Sequence, residues 1–138
     1  CNYRESNIMS DLNKILYVED EPDIQAVAKI ALETVGSFTL EVCSGGQEAL
    51  DRAPGFDPDL ILLDVMMPGL DGPDTLQELR KLPGMDAKPV IFMTAKVMDS
   101  EVQRYLDLGA IGVIPKPFDP MSLAQQVTTI WQESDSGK

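Results

Sequence analysis

"LILLDVMMPGLDG", residues 60–72, is the stretch that decides the fold. Its four leading apolar residues deliver a single acid, Asp64, and the chain then breaks at once into Pro68, Gly69 and the pair Asp71-Gly72. A short apolar run bounded by turn residues reads as a strand buried on both faces, as in a parallel sheet. In open sheets of that kind, ligands collect outside the carboxyl ends of the strands. Asp64 stands at such an end and is the first candidate for function.

Four more segments share that character: "KILYV" (14–18), "FTLEVC" (38–43), "PVIFMT" (89–94) and "IGVIP" (111–115). All are short and rich in β-branched or aromatic residues, and with 59–64 they predict five strands. Helical spacing fills the gaps. Ile24, Val27, Ala28, Ala31 and Val35 predict one apolar face over 22–35, and Ala49, Leu50 and Ala53 a short helix near 45–53. Leu76 and Leu79 mark 73–82; Val102, Tyr105 and Leu106 mark 98–108; Met121, Ala124, Val127, Thr128 and Trp131 mark 119–132. Pro22 and Pro73 suit first helical turns. Gly36 and Gly109 are expected to form left-handed caps. Asp119 before Pro120 is expected to be an N-cap. Alternating strands and helices imply a five-stranded parallel sheet covered on both faces, with right-handed crossovers.

Composition narrows the function. The 138 residues suffice for one domain with a sizeable core. The chain is 43% hydrophobic and 25% charged, as in ordinary globular proteins. Its 23 acids against 11 bases give a formal net charge of -12, which argues against direct nucleic-acid binding. Cys1 and Cys43 do not make a disulfide framework, and a reducing cytoplasm is the expected compartment. No apolar run approaches the roughly 18 residues of a membrane span, so no membrane role is expected. With no histidine in the chain, Ser-His and Cys-His nucleophile systems and most zinc sites are excluded. Residues 1–11 read as a disordered N-terminal extension, and Met9 reads as a natural start with residues 1–8 upstream of it. Residues 12–133 read as the domain and 134–138 as a polar tail.

The strand ends carry the chemistry. Glu19, Asp20 and Glu21 follow strand 1, Asp64 ends strand 3, Thr94 ends strand 4 and Lys116 follows strand 5. In one common doubly wound order, strands 1 and 3 are neighbours where the winding reverses, which brings Asp20 to Asp64. Two carboxylates about 4 Å apart repel by ~4 kcal/mol at an effective dielectric near 20, so raised pKa values or a cation must compensate. An open, all-oxygen set suits Mg²⁺, with Mn²⁺ as the alternative. Such a metal, Lys116 and the Thr94 hydroxyl around one carboxylate would clamp a transferring phosphoryl group, with Asp64 as nucleophile. Taken singly, each residue has a plainer reading. An Asp after a strand is usually a turn or helix cap, a terminal Thr makes local hydrogen bonds, and a lone Lys is solvated surface. Their convergence on one end of one sheet favours the site.

The motifs "YVEDEP", "LILLDVMMPGLDG", "FMTA" and "PKPF" resemble the receiver domain of two-component response regulators, the family of the chemotaxis response regulator. The spacings agree too: 44 residues from Asp20 to Asp64, 30 on to Thr94 and 22 on to Lys116. The resemblance spans about residues 12–133 and implies a flavodoxin-like fold with strand order 2-1-3-4-5. It implies that Asp64 accepts phosphate from the phosphohistidine of a sensor histidine kinase or phosphotransfer protein. Asp20 and Asp64 would hold Mg²⁺, with Glu19 helping through water and the Met66 carbonyl completing the protein ligands. Thr94 and Lys116 would contact the phosphoryl group, and the Lys116–Pro117 bond would be cis. A downstream protein, or an output domain missing from this sequence, would meet the face formed by helix 4, strand 5 and helix 5.

There are departures. Receivers commonly carry Tyr or Phe three residues before the lysine as a switch; here Val113 stands there. Pro115 removes a backbone donor near the end of strand 5. Met66 and Lys96 are expected to modulate access to the phosphoryl group. Tyr105 and Trp131 are expected in the core or at its edge. Two rivals remain. A haloacid-dehalogenase-like phosphatase would need a second acid at position 66, and a pseudo-receiver that is not phosphorylated would normally have lost one of the five key residues. The receiver reading is therefore that of a signalling domain that takes part in its own phosphorylation and dephosphorylation, not of a turnover enzyme.

Overall fold

The computed structural model describes residues 12–134. The expectations for residues 1–11 and for the tail beyond Ser134 lie outside them. Five strands form one parallel sheet: β1 (Lys14–Val18), β2 (Thr39–Cys43), β3 (Leu60–Asp64), β4 (Val90–Thr94) and β5 (Gly112–Pro115). Their order is β2-β1-β3-β4-β5, as the sequence implies. The helices are α1 (Pro22–Lys29), α2 (Gly46–Phe56), α3 (Gly72–Leu79), α4 (Asp99–Asp107) and α5 (Leu123–Glu133).

Alternation along the strands divides the core into two layers. Leu16, Val18, Ile61, Leu63 and Phe92 pack on Ala49, Ala53, Leu76, Leu79 and Tyr105 of α2, α3 and α4. Ile15, Tyr17, Leu60, Leu62, Ile91 and Met93 pack on Ala28, Ala31, Leu32, Leu123, Val127 and Trp131 from the other side. Every residue of β3 and β4 is buried, which is why both read as unbroken apolar runs. Tyr105 stacks at a tilt on Phe92, with ring centroids 5.2 Å apart. Tyr105 and Trp131 are thus core residues, as expected. Asp64 follows Leu60 and Leu62 in parity, so its side chain belongs to the α1 and α5 side.

Several local expectations are corrected. After Lys29, α1 widens into π-helical turns over Ile30–Val35, closed by the Gly36 N–H on the Ala31 carbonyl at 3.2 Å. The extra residue rotates the rest of the segment by roughly 100°. Val35 therefore turns outward and is 44% exposed instead of core, while Leu32, four residues past Ala28, stays on the buried face. Val27, expected on the same face, is 42% exposed as well. Gly36 is not left-handed (φ -89); Ser37 takes the positive φ of 63. Gly36 is needed for clearance, because a Cβ there would lie 2.8 Å from that of Ala124. Gly109 does adopt a positive φ. α2 runs through Pro54 to Phe56 and is capped by Asp57 in the left-handed region, which Asp tolerates. Asp119 caps the turn before α5 through the Met121 N–H, and the helix proper starts at Leu123.

Two features shape the carboxyl edge of the sheet around Asp64. Asp71 caps α3 by accepting from the Asp74 N–H at 2.9 Å. Gly72, the first residue of α3, is wedged against β3: a Cβ there would lie 2.7 Å from the Asp64 carbonyl oxygen and 2.8 Å from the Val65 Cα. The Lys116–Pro117 peptide is cis, as expected. No helix among the described residues is long and apolar enough to cross a membrane.

Candidate functional site

Parallel pairing delivers the site. Val18 aligns with Cys43 and Leu63, so the residues just past β1 and the end of β3 emerge side by side. Asp64 aligns with Met93, and Thr94 with Pro115. The Lys116 N–H donates to the Thr94 carbonyl at 2.9 Å, which fixes where the lysine leaves the sheet. The flanking Pro115 and Pro117 restrict its backbone further.

Two acids are buried here. Glu19 is fully buried and Asp64 is 2% exposed. The Lys116 ammonium bridges them, donating to Glu19 Oε1 at 3.1 Å and to Asp64 Oδ1 at 3.2 Å. Glu19 Oε2 also accepts from the Glu21 N–H at 3.2 Å. The Glu19 carbonyl accepts from Gln25 Nε2 at 2.5 Å, tying the acidic loop to α1. Asp20 is half-buried beside the pair and Glu21 is exposed.

The electrostatics follow from this crowding. Burial pushes the Glu19 carboxyl above its usual range and the Asp64 charge adds to the push, while Lys116 opposes it. Burial likewise raises Asp64; Lys116 and the Met66 N–H pull it down, and Asp20 raises it further. Burial alone would depress the Lys116 ammonium, but its hydrogen bonds and the charges of Glu19 and Asp64 outweigh this and hold it above its ordinary value. The site is thus short of positive charge.

The remaining predicted residues surround this core. Thr94 is buried, and its hydroxyl accepts from the Lys96 N–H at 3.0 Å, so it is tied to its own loop. Lys96 is exposed at the rim, and Met66 is 67% exposed over the mouth. Val113 is partly buried against the α2–α4 layer, with no ring to swing. The carboxylate oxygens of Glu19, Asp20 and Glu21 approach within 4.8 Å of one another. This hard oxygen set, beside an acid whose raised pKa calls for a cation, fits Mg²⁺ or Mn²⁺. Glu21, which the sequence places with Glu19 and Asp20 after β1 without marking it as a ligand, is a member of that cluster. Sequence reasoning misses Tyr17, which inside an aliphatic strand reads only as core, yet lies beneath Glu19.

Comparison with known proteins agrees with this geometry. The model of the response regulator receiver domain matches residues 15–128. The chain is 38% identical over 122 residues to the alkaline phosphatase synthesis transcriptional regulatory protein PhoP of Bacillus subtilis, covering 88% of this chain and 50% of that protein. It is 38% identical over 123 residues to the transcriptional regulatory protein CpxR of Escherichia coli, covering 89% and 51%. The chain therefore spans about half the length of these curated relatives. In structure it is similar to the chemotaxis protein CheY4 of Vibrio cholerae, with a TM-score of 0.79 and 27% identity over 86% of this chain and 98% of the other. It is also similar to the signal receiver domain of a histidine kinase from Syntrophus aciditrophicus, with a TM-score of 0.74 and 33% identity over 89% and 92%. The chain belongs to the response regulator receiver domain family of two-component signal transduction.

Proposed function

We propose that this receiver domain accepts a phosphoryl group on Asp64 from the phosphohistidine of a sensor histidine kinase or phosphotransfer protein. The observation that carries the reading is the Lys116 ammonium shared between two buried carboxylates at the carboxyl end of a parallel sheet. A carboxylate oxygen of Asp64 attacks phosphorus, the phosphorus–nitrogen bond breaks, and the leaving imidazole keeps the electron pair and takes a proton. Lys116 turns from Glu19 and Asp64 toward the incoming phosphoryl oxygens. Thr94 gives up its bond from the Lys96 N–H and donates its hydroxyl to the same group. Asp20, Asp64 and the Met66 carbonyl would hold Mg²⁺, with Glu19 behind them. Bound there, the ion would neutralise charge on the phosphoryl oxygens. Such a reaction depends on position and charge more than on covalent help.

A turnover phosphatase is disfavoured because position 66, where a second acid would be required, holds an exposed thioether. The pseudo-receiver reading is disfavoured because Glu19, Asp20, Asp64, Thr94 and Lys116 are all retained. The cytoplasm is the proposed compartment. The face of α4, β5 and α5 is the proposed contact with a downstream protein or output domain. With Val113 in place of an aromatic switch, the change at that face would rest on the loop after Thr94 and on α4.

The test is incubation with Mg²⁺ and acetyl phosphate, read by intact mass. One phosphate should be gained, lost in Asp64→Asn and dependent on the metal, without multiple turnover of phosphate esters. Equal labelling of Asp64→Asn would overturn the assignment.

A further inference from the structure

Tyr17 is fully buried in β1, two residues before Glu19 and on the same side of the sheet. Its phenol oxygen is buried and meets no partner at hydrogen-bonding geometry. A buried hydroxyl without a well-formed hydrogen bond is destabilising, so an aliphatic residue would suit this strand better if packing were its only role. Its surroundings are nevertheless polar. Burial, the charges of Glu19 and Asp64 and the approach of the Glu19 carboxylate as an acceptor all act on the phenol and hold it above its ordinary pKa, although the pair falls short of strict hydrogen-bonding geometry.

The need for a donor arises from Lys116. In this structure Glu19 Oε1 depends on Lys116 and Oε2 on the Glu21 N–H. A phosphoryl group on Asp64 would compete for the same ammonium. Glu19, with no solvent exposure, would then lose its strongest compensating partner. The phenol is the buried donor nearby with nothing else to bond.

We infer that Tyr17 is a positioning residue for Glu19, a donor in reserve that takes over the Glu19 carboxylate when Lys116 turns to the phosphoryl group. This rests on the proposed phosphorylation of Asp64. It assigns Tyr17 a full hydrogen bond to Glu19 in the loaded state, where the resting state has only a loose approach of the two groups.

The test compares the parent with Tyr17→Phe, using Mg²⁺ and beryllofluoride as the phosphoryl mimic. Metal-free Tyr17→Phe should melt at the parent's temperature or above, because an unpartnered hydroxyl has been removed. Its affinity for beryllofluoride should fall about tenfold, the scale of a hydrogen bond to a charged group. Addition of the mimic to the parent should produce a tyrosine ultraviolet difference spectrum that is missing in Tyr17→Phe. Affinity within twofold of the parent, an unchanged difference spectrum, or a drop in metal-free melting that accounts for the affinity loss would each overturn the inference. Asp20→Asn separates the two levels. If it loses the response to the mimic while Tyr17→Phe keeps it, only the Tyr17 role fails; if it keeps the response, the metal-dependent reading of the pocket fails as well.

Discussion

Lys116 reaches back across 52 residues of sequence to hold Asp64 Oδ1 at 3.2 Å. The same ammonium holds Glu19, so one cation compensates two buried anions. Breaking a buried pair by removing one partner costs about 3–5 kcal/mol. Lys116→Met, which keeps the apolar stem but not the charge, should lose about 3 kcal/mol near neutral pH. The loss should shrink toward about pH 5 as the acids take up protons. Urea unfolding of the metal-free protein at the two pH values checks this, and equal stability near neutrality would refute it.

Asp64→Asn should raise metal-free stability. The folded-state pKa values of Glu19 and Asp64 lie above their ordinary ones. As pH rises past about 4 the unfolded chain releases these protons first, so stability falls from there up to the folded pKa values. The amide removes one of the two acids. We expect a gain near neutral pH and a flatter pH profile. A variant less stable than the parent, with the same slope, would contradict this.

The phosphorylated form should lose its phosphate slowly. Met66 stands exposed over the mouth and its thioether makes no strong hydrogen bond to orient an attacking water. Met66→Asn should shorten the lifetime by about tenfold, below the roughly 10²–10⁴-fold of a full general acid or base, because an amide orients the water without taking its proton. Decay of labelled aspartyl phosphate in the two proteins decides it; equal or faster loss from the parent is the disproof.

Cys43 should resist alkylation in the folded state. Burial pushes its thiol up to about 12, and Glu48 adds to the effect. The thiolate is the reactive form, so iodoacetamide near pH 8 should modify Cys43 only after unfolding. The raised value also means that stability is lost above the ordinary thiol pKa of 9.0, where the unfolded chain ionises first. Peptide mapping after alkylation with and without urea gives the answer.

The strands are legible because β3 and β4 are buried throughout, and their short apolar runs are bounded by turn residues that leave no room for a helix. The acids, Thr94 and Lys116 are legible because each follows a strand, and parallel order then brings the strand ends together. The hidden part depends on three-dimensional detail that spacing cannot carry. A constant period of 3.6 puts Val35 in the core, but one widened turn rotates it out. Gly36 looks like a left-handed cap, yet its missing side chain serves the approach of Ala124. Tyr17 is concealed by its own hydrophobicity, since periodicity registers the ring and ignores the hydroxyl.

Gly72 allows no slack between the start of α3 and the backbone of Asp64. A helix seated without clearance on the acceptor's own carbonyl cannot pivot unless the acceptor travels with it. On that flank the molecule is an anvil. Responsiveness is left to the opposite bank of the pocket, where Val97 and Met98 stand in open solvent between Thr94 and α4. If Asp64 is the acceptor, its message would leave through that bank, where substitutions could retune the destination without disturbing the seat.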